Sequence, residues 1–305
     1  AQWPPAGGPA AAAPLLLAHA RAALGAQLAA AGRGPEAVPL LTEAIPALGE
    51  TDFAARARVD LGQALRQAGD PRSAAGQFEL AAAGVSAGPD QRAHLLVRIE
   101  AARAFAEAAM WPEAKRAYES ARRLGAELGQ WAQVVRIHRE LGRMCIRELG
   151  DEGLAIAVVQ FDEALTAAAQ ATGEGAGGAD GDGPDRAAAA GTDAAGTADA
   201  AGALAEVIHE RGLASYEAAQ LLAHLNHQEQ ALEWLGRAIA DLSADDRDIE
   251  TLADAAYFAA DLEGNRLGRG EQARQRLAPV IERCARLDRA ESLAALTDLS
   301  ERLAG

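Results

Sequence analysis

Few residue types in this chain could do chemistry, and most of them stand at the wrong spacing. His209-Glu210-Arg211-Gly212-Leu213 opens like the helical zinc-protease motif, but Leu stands where the second His would complete the site. His224, His227 and Glu229 span the end of a helical pattern with no third ligand evident, and read as polar turn residues rather than a metal site. Asp180-Gly181-Asp182-Gly183-Pro184-Asp185 resembles the start of a calcium loop, yet its twelfth position is Gly191 and not the closing Glu. No Gly-Lys-Ser/Thr phosphate cradle is present, and the single lysine, Lys115, is nowhere near such a pattern. Cys145 and Cys284 lack a His at suggestive spacing and read as small core residues. The expectation is a protein that is not an enzyme, with no cofactor and no metal.

What remains is charge on one helix face. Arg136, Arg139, Arg143 and Arg147 fall at i, i+3, i+7 and i+11, one continuous stripe on a helix. Guanidinium forks suit carboxylates and phosphates, which makes the stripe a candidate site for an acidic protein or peptide partner. The other reading is a solvated or internally paired stripe. Glu140 lies four residues after Arg136 and three before Arg143, and the chain carries many other carboxylates. Both readings stay open here.

The elements that must hold these residues are helices. Half the residues are apolar, but much of that is Ala and only 4% are aromatic, a composition suited to thin helix–helix contacts. Val, Ile and Thr nowhere alternate with polar residues over a strand's length, so the fold class is all-α. A formal net charge of -15 argues against direct nucleic-acid binding. No apolar run is long enough to span a bilayer, so no membrane contact and a cytoplasmic location are expected. The Ala, Gly and Arg usage resembles that of a GC-rich, actinobacterial genome. Residues 1–14 read as a Pro/Ala/Gly-rich linker without an initiator Met, as in one piece of a longer polypeptide.

The rest of the chain is a repeated helix hairpin. Ala101 to Ala121 shows it best: a helix ending near Met110, a turn at Trp111-Pro112, and a second helix opening on Pro112-Glu113. Ala37, Ala74, Ala114, Ala157 and Ala231 hold one place early in successive second helices. Four residues on comes a large side chain (Leu41, Phe78, Tyr118, Phe161, Leu235), and seven on another Ala (Ala44, Ala81, Ala121, Ala164, Ala238). Twelve before the first Ala stands a small residue: Gly25, Gly62, Ala102 and Ala219. Gly32, Gly69, Asn226 and Gly268 sit five before, where a left-handed residue stops a helix. Pro46 is expected to end or bend its helix. Residues 171–202 hold no large apolar side chain and are expected to be a disordered acidic insertion. Removing those 32 residues from the 74 between Ala157 and Ala231 leaves 42, one repeat step.

This pattern resembles the tetratricopeptide repeat, in a longer-repeat form, since the steps between Ala37, Ala74, Ala114 and Ala157 are 37, 40 and 43 residues. The resemblance implies an α-solenoid of antiparallel helix hairpins wound as a right-handed superhelix. Repeats 1–4 would fill 15–170, repeats 5 and 6 would fill 203–288, and a capping helix 289–305. The chain departs from the family at Arg21, Arg58 and Arg98, where an apolar residue is usual, and in the fifteen residues between Gly142 and Ala157. By resemblance the first helices line a concave groove. Arg56, Gln63 and Arg66, then Arg103 and Glu107, would face it together with Arg136, Arg139, Arg143 and Arg147. The expected function is a non-catalytic scaffold that binds a segment of a partner protein in this groove. The alternative is a sensor or autoinhibitory module of a larger bacterial transcriptional regulator or signalling ATPase.

Overall fold

A computed structural model describes residues 9–85, 90–173 and 194–304, and every regular element among them is a helix. The chain is an all-α solenoid of antiparallel hairpins, divided into two compact units, Ala1–Leu128 and Gly129–Gly305. The first unit contains α1 (Pro9–Ala30), α2 (Gly34–Leu48), α3 (Asp52–Gln67), α4 (Pro71–Val85), α5 (Gln91–Glu107) and α6 (Trp111–Glu127). The second contains α7 (Trp131–Leu149), α8 (Leu154–Thr172), α9 (Ala194–His224), α10 (Gln228–Leu242), α11 (Ile249–Asp261), α12 (Gly270–Arg286) and α13 (Ala290–Arg302). Within each unit α1 packs on α2, α3 on α4, and so on in pairs, and each second helix also packs on the first helix of the following hairpin.

The repeated spacing has a steric cause. In three hairpins the large residue of the second helix sits directly over a glycine of its first helix. A Cβ at Gly62 would stand 2.8 Å from the Phe78 ring, one at Gly25 2.6 Å from Leu41, and one at Gly142 3.0 Å from Phe161. Ala37, Ala74, Ala114, Ala157 and Ala231 are fully buried and let neighbouring helices approach. Phe78 and Phe161 are thereby removed from water, each burial stabilising by roughly 1.5–3 kcal/mol.

The turns follow the same logic. Gly32, Gly69, Asn226 and Gly268 all have positive φ, between 64° and 82°. In the third hairpin Ala109 occupies the equivalent place at φ 55°, although it carries a Cβ. There α5 ends at Glu107 and α6 starts at Trp111, so the turn lies over Ala108–Met110 rather than at Trp111-Pro112.

Several boundaries differ from expectation. α1 begins at Pro9, inside the expected 1–14 linker, because Ala10–Ala13 are strong helix formers and Pro14 deletes only one backbone bond near the start. Residues 1–8 lie outside the described residues. α2 continues past Pro46 to Leu48, since a proline in the last turn again removes a single bond. Of the expected insertion, 174–193 lies outside the described residues, while 194–202 forms the Ala-rich start of α9. The extra residues before Ala157 are taken up by a longer α7 and a 3-10 turn, Gly150–Gly153. A Cβ at Gly153 would lie 2.2 Å from the Cys145 carbonyl oxygen, so that turn requires glycine. In the last hairpin a π-turn, Leu262–Arg266, follows α11. α13 closes the second unit by burying Leu296 and Leu299 and turning Glu291, Asp298 and Glu301 outward.

The arginines that depart from the repeat pattern are cross-braces. Four residues before the small first-helix residue stand Arg21, Arg58, Arg98 and His138. Arg21 reaches Glu43 at 3.3 Å, and Arg58 donates to Gln77 at 3.4 Å. Arg98 donates to Ser120 at 2.7 Å, and His138 Nδ1 lies 3.3 Å from Gln160 Oε1. Each ties a first helix to its own second helix.

Candidate partner-binding surface

Three arginines of the α7 stripe, Arg136, Arg139 and Arg143, meet carboxylates of α9. Arg136 Nε donates to Glu210 Oε1 at 2.8 Å, and its Nη2 donates to Glu206 at 3.0 Å. Arg139 donates to Glu210 through Nη1 and to Glu217 through Nε at 3.1 Å. Arg143 holds Glu217 with two bonds, at 2.9 and 2.6 Å. Arg247, just before α11, extends the row with a 2.6 Å bond to Glu206 and a 2.7 Å bond to Asp245. Positive and negative groups therefore alternate across neighbouring first helices.

The first unit repeats the device on a smaller scale. Arg66 of α3 donates to Glu100 at 2.7 Å and to Glu107 at 2.9 Å, and Arg103 donates to the same Glu100 at 2.6 Å. The hydrogen bond and charge of Glu107 raise the Arg66 pKa against the opposing effect of burial. For Arg143, burial works to lower the pKa, but the hydrogen bond and charge of Glu217 outweigh it and the net direction is upward. These guanidiniums are committed cations.

Burial divides the expected groove residues into two kinds. Arg139 and Glu210 are 7% and 3% exposed. A charge buried this far is tolerable only while its partner stays in place, so the pair belongs to the scaffold. Arg56, Gln63, Arg143 and Arg147 are exposed on the first-helix faces. Arg147 lies in the last turn of α7, where a cation also suits the helix dipole. Arg56 adds a favourable charge beside Asp60, whose pKa burial nonetheless raises.

Sequence reasoning missed the partners. Glu206, Glu210 and Glu217 fall at i, i+4 and i+11 on α9, a stripe complementary to the one on α7, and that spacing was the available signal. Glu210 drew notice only through its resemblance to a zinc motif. His224 and His227 flank the α9–α10 turn, and Glu229 pairs with Arg269 at 3.1 Å. Among the described residues no cluster of three or more His, Cys, Asp or Glu side chains could hold a metal ion. Cys284 is buried, which pushes its thiol pKa up, and Cys145 is half-buried. Among the described residues no helix is long and apolar enough to cross a membrane.

No protein-family model and no curated protein sequence matches the chain. Solved structures do match. One is a signal transduction ATPase with numerous domains, bearing a tetratricopeptide repeat sensor, from Pyrococcus horikoshii. It aligns with 94% of this chain at 15% identity and a TM-score of 0.58, and this chain spans 38% of that protein's length. BtubC from P. vanneervenii aligns over 90% of this chain and 92% of its own, at 15% identity and a TM-score of 0.50. At such identities the likeness is one of fold, that of tetratricopeptide-like helical repeats.

Proposed function

We propose that this tetratricopeptide-like solenoid is a non-catalytic protein-interaction module that holds a segment of a partner protein against its first-helix faces. The observation that supports this most is the Arg–Glu row on α7 and α9. It fixes the first helices rigidly while leaving Arg143 half-exposed and Arg147 exposed beside it. A surface ordered in advance spares the partner part of the entropy of binding. Each unit presents its own exposed first-helix groups to acidic side chains: Arg143 and Arg147 in the second unit, and separately Arg56 and Gln63 in the first. The net charge of -15 speaks against direct nucleic-acid contact.

Site-specific photo-crosslinking tests this reading. A benzophenone side chain at Gln63 or Arg147 should capture a discrete partner, whereas one at Glu119, exposed on the second helix α6, should not. Equal capture from all three positions would move binding away from the first helices.

A second reading has its own support: the chain is a sensor module within a larger bacterial regulator or signalling ATPase. The match covers nearly all of this chain but 38% of an ATPase that bears a tetratricopeptide repeat sensor. Under this reading, occupying the first-helix face changes nucleotide turnover in a polypeptide that contains this chain. Turnover insensitive to Arg147→Glu and Gln63→Glu would count against it.

A further inference from the structure

Ser215 breaks the pattern of cross-braces. It stands four residues before Ala219, the place held by Arg21, Arg58, Arg98 and His138 in the first four hairpins. Its hydroxyl is fully buried and has no hydrogen-bond partner among the described residues. It lines a cavity of 390 Å³ between α8, α9 and α10, together with Leu165, Ala169, Arg211, Arg237, Ala240 and Asp241. Where the first four hairpins have a long polar side chain bonded to the second helix, this one has only a short hydroxyl.

The opposite wall completes the contrast. Arg237 lies six residues after Ala231, as Ser120 lies six after Ala114. The hairpins α5–α6 and α9–α10 thus carry the same Arg and Ser with the helices exchanged. Arg98 meets Ser120 at 2.7 Å, but Arg237 instead donates to Glu233 at 2.6 Å and lies over the Trp234 ring at 5.9 Å. The Arg237–Glu233 pair is exposed, with side chains 51% and 62% accessible, so a competing anion displaces it at little cost. Arg211 and Asp241 neutralise one another through two bonds of 2.8 Å. The polar groups left to a ligand are a buried hydroxyl donor and the exposed Arg237 guanidinium, over an apolar wall of Leu165, Ala169 and Ala240.

We infer that this cavity is a binding site for a small aliphatic carboxylate. The carboxylate accepts from the Ser215 hydroxyl and from Arg237, and the alkyl chain lies against Leu165, Ala169 and Ala240. The ligand takes the place of the missing cross-brace, satisfying a buried donor that is otherwise costly to leave without a partner. The volume lies within the range of small-molecule sites. The site is separate from the first-helix face and stands or falls independently of it.

The test is titration of the whole chain with hexanoate, followed by calorimetry and by tryptophan emission, with Trp234→Phe identifying the reporting ring. Saturable hexanoate binding is expected, with hexylamine inert. Ser215→Ala and Arg237→Gln should each weaken binding about tenfold, the scale of one lost hydrogen bond. Ser215→Arg restores the brace and should abolish binding while helicity is retained; if that variant fails to fold, the other two carry the comparison. No saturable response, equal binding of hexylamine, or unchanged affinity in Ser215→Ala and Arg237→Gln would overturn the proposal.

Discussion

Two positions show how much single residues decide in this chain. Ala109 holds the left-handed conformation that glycine or asparagine provides in equivalent turns, and it is exposed, so no packing depends on its methyl group. Ala109→Gly should therefore stabilise the protein by about 1 kcal/mol, seen as a higher urea midpoint with an unchanged slope. His94 is nearly buried, accepts a 2.7 Å hydrogen bond from Arg98 at Nε2, and leaves Nδ1 without a partner among the described residues. Burial, and then the nearby Arg98 charge, lowers its pKa below the ordinary 6.5. A depressed histidine binds fewer protons when folded than unfolded. Its contribution is complete above pH 6.5 and is lost as the pH falls through that value toward the folded pKa. Denaturant titrations at pH 7.5 and 5.5 should show a smaller acid loss in His94→Gln than in the parent protein.

At the scale of elements, the Arg–Glu row is what holds neighbouring first helices in register. Glu210→Ala leaves Arg139 buried without that partner and should cost about 3–5 kcal/mol, whereas Arg147→Ala on the same stripe should cost under about 0.5 kcal/mol. Urea unfolding of both variants checks the contrast, and comparable losses would mean that the row carries no special weight. A triple change of Arg136, Arg139 and Arg143 to Glu would set like charges against α9 and separate the helices, so it reports on folding rather than on partner binding. Gly62→Ala tests the steric seat, because the added Cβ would meet the Phe78 ring at 2.8 Å. A loss of about 1–3 kcal/mol is expected, the ordinary cost of overpacking, read by thermal unfolding.

At the scale of the whole molecule, repeats that touch mainly their neighbours make stability nearly local. Leu41 belongs to a core built from α1, α2 and α3, and Leu277 to one built from α10 to α13. Leu277→Ala should raise amide exchange in α11, α12 and α13 while the protection of α1–α4 stays unchanged. Uniform loss of protection would mean that the chain unfolds as a single cooperative block. The same locality permits one hairpin to leave Ser215 without a brace while the four hairpins before it are braced.

The hairpins could be read directly from the residues, because their determinants are local. A small residue, a left-handed stop and an Ala-large-Ala face recur at spacings set by the period of one helix, and the packing answers to that spacing at Gly62–Phe78 and Gly142–Phe161. The arginine stripe was equally legible, but its chemistry was not. Within one helix only neighbours three or four residues away can be judged, and they pointed to Glu140. The carboxylates that hold Arg136 lie 70 and 74 residues further along, on a helix whose register against α7 depends on how the hairpins stack. Ser215 was invisible for the same reason, since a serine in a helix means nothing until four other hairpins show a longer side chain in its place. Periodicity determined which face each residue occupies; only the stacking of the helices decided what stands opposite it.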